Sequence, residues 1–360
     1  MTKHVRVFAL AVAGLAGCGS GGEDAGFEPI VGGDAAADAA DASDGAIAWP
    51  DAAPDAPAEA GPQPSFDAGA PSPPPVTCSG KQGSSGERVI SLTSGGLLRT
   101  ALLHVPKGYD PAKGTMLVMN FHGFSSAGWQ EALLTNMSRA SDQRGFILVY
   151  PEGVVTSWNA GDCCGTAWLD AVDDLAFVEA LLDRLEADYC IDPRRVYATG
   201  MSNGGFMSHR IGCALSDRFA AIAPVAGVLG VTPADCHPTR AVPIIDTHGT
   251  SDPLVPYGGG TPILPTLGQG IVFRSVAETM KFWRMNNGCS AVEAVIYQHG
   301  DATCVSYPEC RDGADTVLCT IDGGGHTWPG GLPVPGLGKT SSSLDATNTM
   351  LDFFEAHPMP

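Results

Sequence analysis

Residues 194–215 read RRVYATGMSNGGFMSHRIGCAL, and the apolar spacing changes in the middle of them. Up to Thr199 the pattern is that of a short strand. From Asn203 the apolar residues recur at the three- and four-residue intervals of a helix. Gly200, Ser202, Gly204 and Gly205 lie at the junction, in a G-x-S-x-G pattern that occurs once in the chain. A strand that runs straight into a helix must turn sharply, and flanking glycines permit the turn. The serine hydroxyl is then lifted above the C-terminal edge of a sheet, where the free N–H groups of the helix's first turn favour negative charge. This stretch predicts a strand–turn–helix unit of an α/β sheet and marks Ser202 as a candidate nucleophile.

The rest of residues 78–360 fits such a sheet. The runs RTALLHVP, TMLVMNF, FILVYP, FAAIAPVAG, VPIIDTH and TVLCTID read as strands. Between them, DDLAFVEALLDRLEADY and stretches near 129–144, 272–287 and 343–356 have helical periodicity. The alternation predicts an α/β domain with a mostly parallel central sheet and helices on both faces.

The N-terminal part has a different character. Lys3 and Arg6 precede an apolar run from Val7 to Ala16 that is too short to span a bilayer, so residues 1–17 read as a signal peptide. Leu15-Ala16-Gly17-Cys18 resembles the bacterial lipobox, which implies lipidation of Cys18, and Gly19 after it points to the outer membrane. Residues 18–77 are rich in Ala, Asp, Pro and Gly, with eleven acidic residues and no Lys, Arg or His. Such a segment buries too little apolar surface to offset chain entropy and reads as a disordered, self-repelling tether.

That tether carries eleven of the nineteen net negative charges, and the folded part remains acidic, which argues against nucleic acid as a partner. Membrane contact is expected only through the lipid anchor. Ten further cysteines, from Cys78 to Cys319, lie in the folded part. An even number in an exported chain predicts up to five disulfides, with the pairings left open. There is no C-x-x-C pair, and adjacent Cys163-Cys164 suits tetrahedral zinc poorly, so no metal is expected.

A serine nucleophile needs a base, and the base needs an acid to orient it. On a strand–turn–helix serine the chain order is Ser, then Asp or Glu, then His. In PIIDTHGTSDPLVPY, Asp252 follows a strand directly and is the candidate acid, whereas Asp246 lies inside the strand. His326 follows a strand through Asp322-Gly323-Gly324-Gly325, a loop expected to be flexible enough to bring the ring to the serine. It is preferred as base over His299, at a hairpin strand end, and His357, at the C-terminus; His248 reads as a packing histidine. The oxyanion donors expected are the N–H of Asn203 and, from NFHGFSSAG, the N–H of Phe124, with His122 either lining the site or bracing this loop.

Taken together, His122-Gly123, GDCCG at 161–165 with Asp173-Asp174, GMSNGG, HGTSDPLVPY and GGGHTWPG resemble one family over residues 88 to 355. It is the secreted esterase family that groups poly(3-hydroxybutyrate) depolymerases with feruloyl and acetylxylan esterases. The resemblance implies an α/β-hydrolase fold, an ester substrate, no metal and no organic cofactor, and the triad Ser202, Asp252 and His326. The depolymerase branch often has Cys where this chain has Phe124, which favours plant-wall feruloyl or acetyl esters over a polyester. Trp328 and Trp168, and Trp158 with them, are candidate walls for a planar acyl group. A peptidase on the same fold and a non-catalytic surface-binding lipoprotein are the further readings.

Overall fold

The computed structural model describes residues 63–66, 75–261 and 272–360. The signal peptide, Cys18 and most of the tether lie outside the described residues. Among the described residues no helix is long and apolar enough to cross a membrane.

Among the described residues ten strands form one sheet: β1 Gly86–Ser94, β2 Leu97–Val105, β3 Thr115–Phe121, β4 Ile147–Pro151, β5 Ile191–Met201, β6 Ala221–Val225, β7 Ile244–Gly249, β8 Ala294–His299, β9 Ala302–Tyr307 and β10 Thr316–Ile321. Their order across the sheet is β1-β2-β4-β3-β5-β6-β7-β10-β9-β8. The six central strands from β4 to β10 run parallel, and antiparallel pairs close both edges. The helices are α1 Gly128–Thr135, α2 Met137–Arg144, α3 Gly165–Leu169, α4 Asp174–Asp188, α5 Asn203–Ala214, α6 Val276–Asn287 and α7 Ala346–Ala356.

Period-2 alternation in the central strands builds two cores, one on each face. Leu117, Met119 and Phe121 of β3 face one way, against Phe177 and Leu181 of α4, Phe206 of α5 and Trp283 of α6. Met116 and Val118 face the other way, with Met137 of α2 and Phe353 and Phe354 of α7. The expected helix over 129–144 is two helices, because Asn136 adopts a left-handed conformation (φ 50°, ψ 25°) between them. Asn tolerates that conformation better than most residues, so the periodicity continues through the break.

Two pieces of the segment assigned by composition to the tether are seated on the domain. The side chain of Gln63 accepts hydrogen bonds from Asp345 N (3.2 Å) and Thr349 Oγ1 (2.9 Å), and Phe66 meets Phe353 edge-on at 5.2 Å. Val76 O accepts from Gly114 N at 2.7 Å.

All ten cysteines of the folded part are paired: Cys78–Cys190, Cys163–Cys164, Cys213–Cys236, Cys289–Cys310 and Cys304–Cys319. Cys78–Cys190 links residues 112 apart, whereas Cys304–Cys319 joins neighbouring strands 15 apart. Chain entropy then predicts a loss of about 4–5 kcal/mol for Cys78→Ser/Cys190→Ser and about 3 kcal/mol for Cys304→Ser/Cys319→Ser. Urea unfolding midpoints check the ranking, and equal losses would contradict it.

Candidate active site

Ser202 stands between β5 and α5 with φ 57° and ψ −121°, a strained backbone that lifts the side chain off the strand end. Its N–H donates to Val225 O of the neighbouring strand at 2.9 Å. The elbow needs its glycines because of close approach. A Cβ on Gly200 or Gly204 would collide with the carbonyl oxygen of Phe121 at the end of β3. With those two positions bare, the loop after β3 reaches the serine: a Cβ on Gly123 would lie 3.4 Å from Ser202 Cβ and 4.0 Å from its Oγ.

Asp252 and His326 follow β7 and β10 on the same edge of the sheet. His326 Nδ1 donates to Asp252 Oδ2 at 2.7 Å, and both side chains are buried. Asp252 Oδ1 accepts from Leu254 N and Val255 N, each at 2.8 Å. His248 donates from Nε2 to Val255 O at 2.9 Å and lies 3.5 Å from Asp252 Oδ2, so it also holds the acid turn together. Burial pushes the Asp252 carboxyl up, but the facing His326, with His248 and the Val255 N–H, outweighs it and leaves the group below the ordinary carboxylate value. The Asp252 carboxylate is therefore ionised where it faces His326.

The loop carrying His326 is pinned rather than flexible, which corrects the expectation from its glycines. Gly325 N donates to Lys339 O (2.9 Å) and His326 N to Leu337 O (2.7 Å). A Cβ on Gly325 would strike Leu337 O, and one on Gly249 would strike Gly324 O. The glycines serve close packing between strand end, base loop and the 337–339 segment.

The loop after β3, expected from the sequence to supply an oxyanion donor, is built on His122. Its Nδ1–H donates to Gly123 O at 2.8 Å and its Nε2 accepts from Gly153 N at 3.0 Å, which fixes a neutral tautomer. Burial, helped by the nearby Arg99 charge and opposed by the bond to Gly123 O, pushes its pKa down to about 4. With both nitrogens engaged and the ring buried, His122 braces the loop and is not a substrate-lining group. Phe124, two residues on, is half-buried. Asn203 opens α5, where first-turn N–H groups have no intrahelical acceptor. Its side chain clasps the Trp158 backbone, accepting from Trp158 N (2.7 Å) and donating to Trp158 O (3.1 Å).

Behind this wall lies a buried pair that sequence reading missed. Arg99 donates to Asp174 Oδ1 at 2.7 Å and to Glu152 O at 3.1 Å, with its guanidinium 3.9 Å from the Phe177 ring centroid. Asp174 Oδ2 accepts from Asn159 N at 2.8 Å. The available signals were Arg99 as the lone charge in a strand run and the Asp173-Asp174 pair before a helix, where Asp173 proves to be the N-cap.

The remaining candidates separate cleanly. Trp328 is corrected from acyl wall to core: it is fully buried and donates from Nε1 to Thr347 Oγ1 at 3.0 Å. Trp158 is also fully buried, with Nε1 donating to His122 O at 3.0 Å. Trp168 is half-buried on α3, one turn past Gly165, where an added Cβ would overlap the Phe124 ring. Asp246 is buried in β7, 3.3 Å from His209 Nε2 of α5, forming a separate pair between strand and helix. His357 is tied to Phe353 O and Asp315, and His299 is exposed at the end of β8. Among the described residues, no group of three or more His, Cys, Asp or Glu side chains is arranged to hold a metal.

Residues 140–253 match the model of the prolyl oligopeptidase family, a stretch that includes Ser202 and Asp252. The chain is 32% identical over 282 residues to the putative esterase NocK of Nocardia uniformis subsp. tsuyamanensis, covering 72% of this chain and 79% of that one. It is 34% identical over 237 residues to feruloyl esterase B of Piromyces equi, covering 63% of this chain and 42% of that protein. This chain belongs to the α/β-hydrolase esterases. The solved acetyl xylan esterase from Aspergillus awamori shares the esterase fold, with a TM-score of 0.52 at 15% identity over 75% of this chain and 99% of its own. The chain spans under half of the Piromyces relative.

The neutral His122 makes a pH prediction for this esterase. Its folded pKa, about 4, lies below the unfolded value of 6.5, so its stabilising contribution is fully present above pH 6.5. That contribution is lost as pH falls from 6.5 to 4, by about 3 kcal/mol. The stability gap between the wild-type chain and His122→Gln, from urea unfolding, should shrink by that amount between pH 7 and pH 4. A pH-independent gap would contradict the assignment.

Proposed function

We propose that the protein is an exported serine carboxylesterase acting on feruloyl or acetyl esters of plant-wall polysaccharide, held at the cell surface by a lipid on Cys18. The observation that carries the reading is a strained serine at the end of β5, on the sheet edge that also bears a buried, hydrogen-bonded Asp252–His326 pair. In the reaction, His326 Nε2 takes the proton of Ser202 Oγ as it attacks the ester carbonyl, while Asp252 holds the Nδ1–H and stabilises the imidazolium. The N–H groups of Asn203 and Phe124 receive the charge that develops on the carbonyl oxygen. His326 then protonates the leaving alcohol, and water, activated by the same base, releases the acid from Ser202.

The substrate class rests on the names of two relatives, a feruloyl esterase and an acetylxylan esterase/xylanase, the second 31% identical over 157 residues. Half-buried Trp168 on α3 and half-buried Phe124, whose neighbour Gly123 approaches Ser202, are the aromatic candidates for stacking on a planar acyl group. Five cysteine pairs support an oxidising compartment. The match to the prolyl oligopeptidase model favours a peptidase as the second reading.

Turnover of methyl ferulate, a 3-hydroxybutyrate oligomer and a peptide p-nitroanilide by the purified chain decides among these. Ferulate release is expected, with Ser202→Ala lowering kcat by about 10⁴-fold or more. Preferential release of 3-hydroxybutyrate would move the assignment to a polyester, and preferential p-nitroaniline release to a peptidase. Undiminished turnover in Ser202→Ala would overturn the nucleophile.

A further inference from the structure

Four of the five cysteine pairs join residues 15 to 112 positions apart, and one joins immediate neighbours. A disulfide stabilises a fold mainly by closing a loop in the unfolded chain, and between adjacent residues there is almost no loop to close. Cys163–Cys164 therefore contributes little to global stability by that route. What it does is lock the backbone and side chains of two residues into one small covalent ring.

The position of that ring gives the lock a use. Both cysteines are buried, in the loop that leads from Trp158 to α3. The loop folds back on itself through Ala160 N to Cys163 O (2.8 Å) and Cys164 N to Trp158 O (3.2 Å). Trp158 is the residue whose backbone is clasped by the Asn203 side chain, and Asn203 Nδ2 also lies 4.0 Å from Cys163 Sγ. On the other side of the ring, Gly165 presses on the Phe124 ring so closely that a Cβ there would overlap it. Ala167 N donates to Ser157 Oγ at 3.0 Å, which closes the far end of the loop. The two residues proposed to supply oxyanion N–H groups, Asn203 and Phe124, thus rest against opposite ends of one short segment, with the cysteine pair between them.

We propose that the Cys163–Cys164 disulfide is a positioning element of the oxyanion hole, holding the 157–165 loop so that Asn203 and Phe124 are set for the transition state. This rests on the serine esterase reading above. The ring touches no reacting atom. It acts by fixing the surfaces against which the Asn203 amide and the Phe124 ring are seated, and small displacements of preorganised donors are costly in rate. Ground-state binding of a short ester depends on those donors far less than the tetrahedral intermediate does.

The test compares the wild-type chain with Cys163→Ser/Cys164→Ser, and with Cys289→Ser/Cys310→Ser as a remote control. The readouts are kcat and KM on p-nitrophenyl acetate, and the Ki of an aryl trifluoromethyl ketone, which forms a tetrahedral oxyanion on a serine nucleophile. The vicinal variant is expected to lose about tenfold or more in kcat and to bind the ketone weaker by a similar factor, with KM nearly unchanged. The control is expected to lose stability and keep both kinetic constants and Ki. A vicinal variant with wild-type kcat and Ki overturns the inference while leaving the esterase reading intact. A wild-type chain that neither turns over the ester nor binds the ketone overturns both. If the double variant fails to fold, the single Cys164→Ala chain, which opens the ring but leaves Cys163 beside Asn203, carries the same comparison.

Discussion

The active edge of this molecule depends on the contact between the end of β3 and the turn from β5 into α5. Phe121 O occupies the space that side chains on Gly200 and Gly204 would fill. The contact brings the 122–124 loop against Ser202 and holds the serine at a positive φ that an ordinary side chain rarely adopts. Parallel pairing then does the rest. β5, β7 and β10 run the same way, so the serine, the acid turn and the base loop all leave the sheet on one edge.

Around that edge, buried polar groups are satisfied in chains rather than singly. Asp252 collects two backbone N–H groups and His326, with His248 beside them. His122 links Gly123 to Gly153, Trp158 links His122 to Asn203, and Arg99 with Asp174 closes the back of the wall. In a low-dielectric interior such networks stiffen only if nearly every member finds a partner. The side chains proposed to act there are therefore set by residues behind them.

The sequence made the central strands legible because a strand buried on both faces leaves a continuous apolar run, as TMLVMNF does for β3. Ser202, Asp252 and His326 could be chosen because each follows such a run on the side where parallel strands end. Edge strand β1 left no comparable signal, since its residues are alternately exposed and half-buried and many are polar. Trp328 reads as an acyl wall from sequence alone because the group that claims its indole, Thr347, comes from a different element. The base loop read as flexible because its glycines look the same whether they give freedom or close contact; the contact partners, Leu337 to Lys339, lie a dozen residues away. The bracing role of His122 and the Arg99–Asp174 pair depends on which side chains the fold brings together, and single-residue patterns do not encode that.

The claim that Ser202 is the nucleophile activated by His326 is tested most directly by fluorophosphonate labelling followed by peptide mapping. One adduct is expected, on the peptide carrying Ser202, lost in Ser202→Ala and strongly slowed in His326→Ala. An adduct on another residue, or no adduct on the folded wild-type chain, would contradict it.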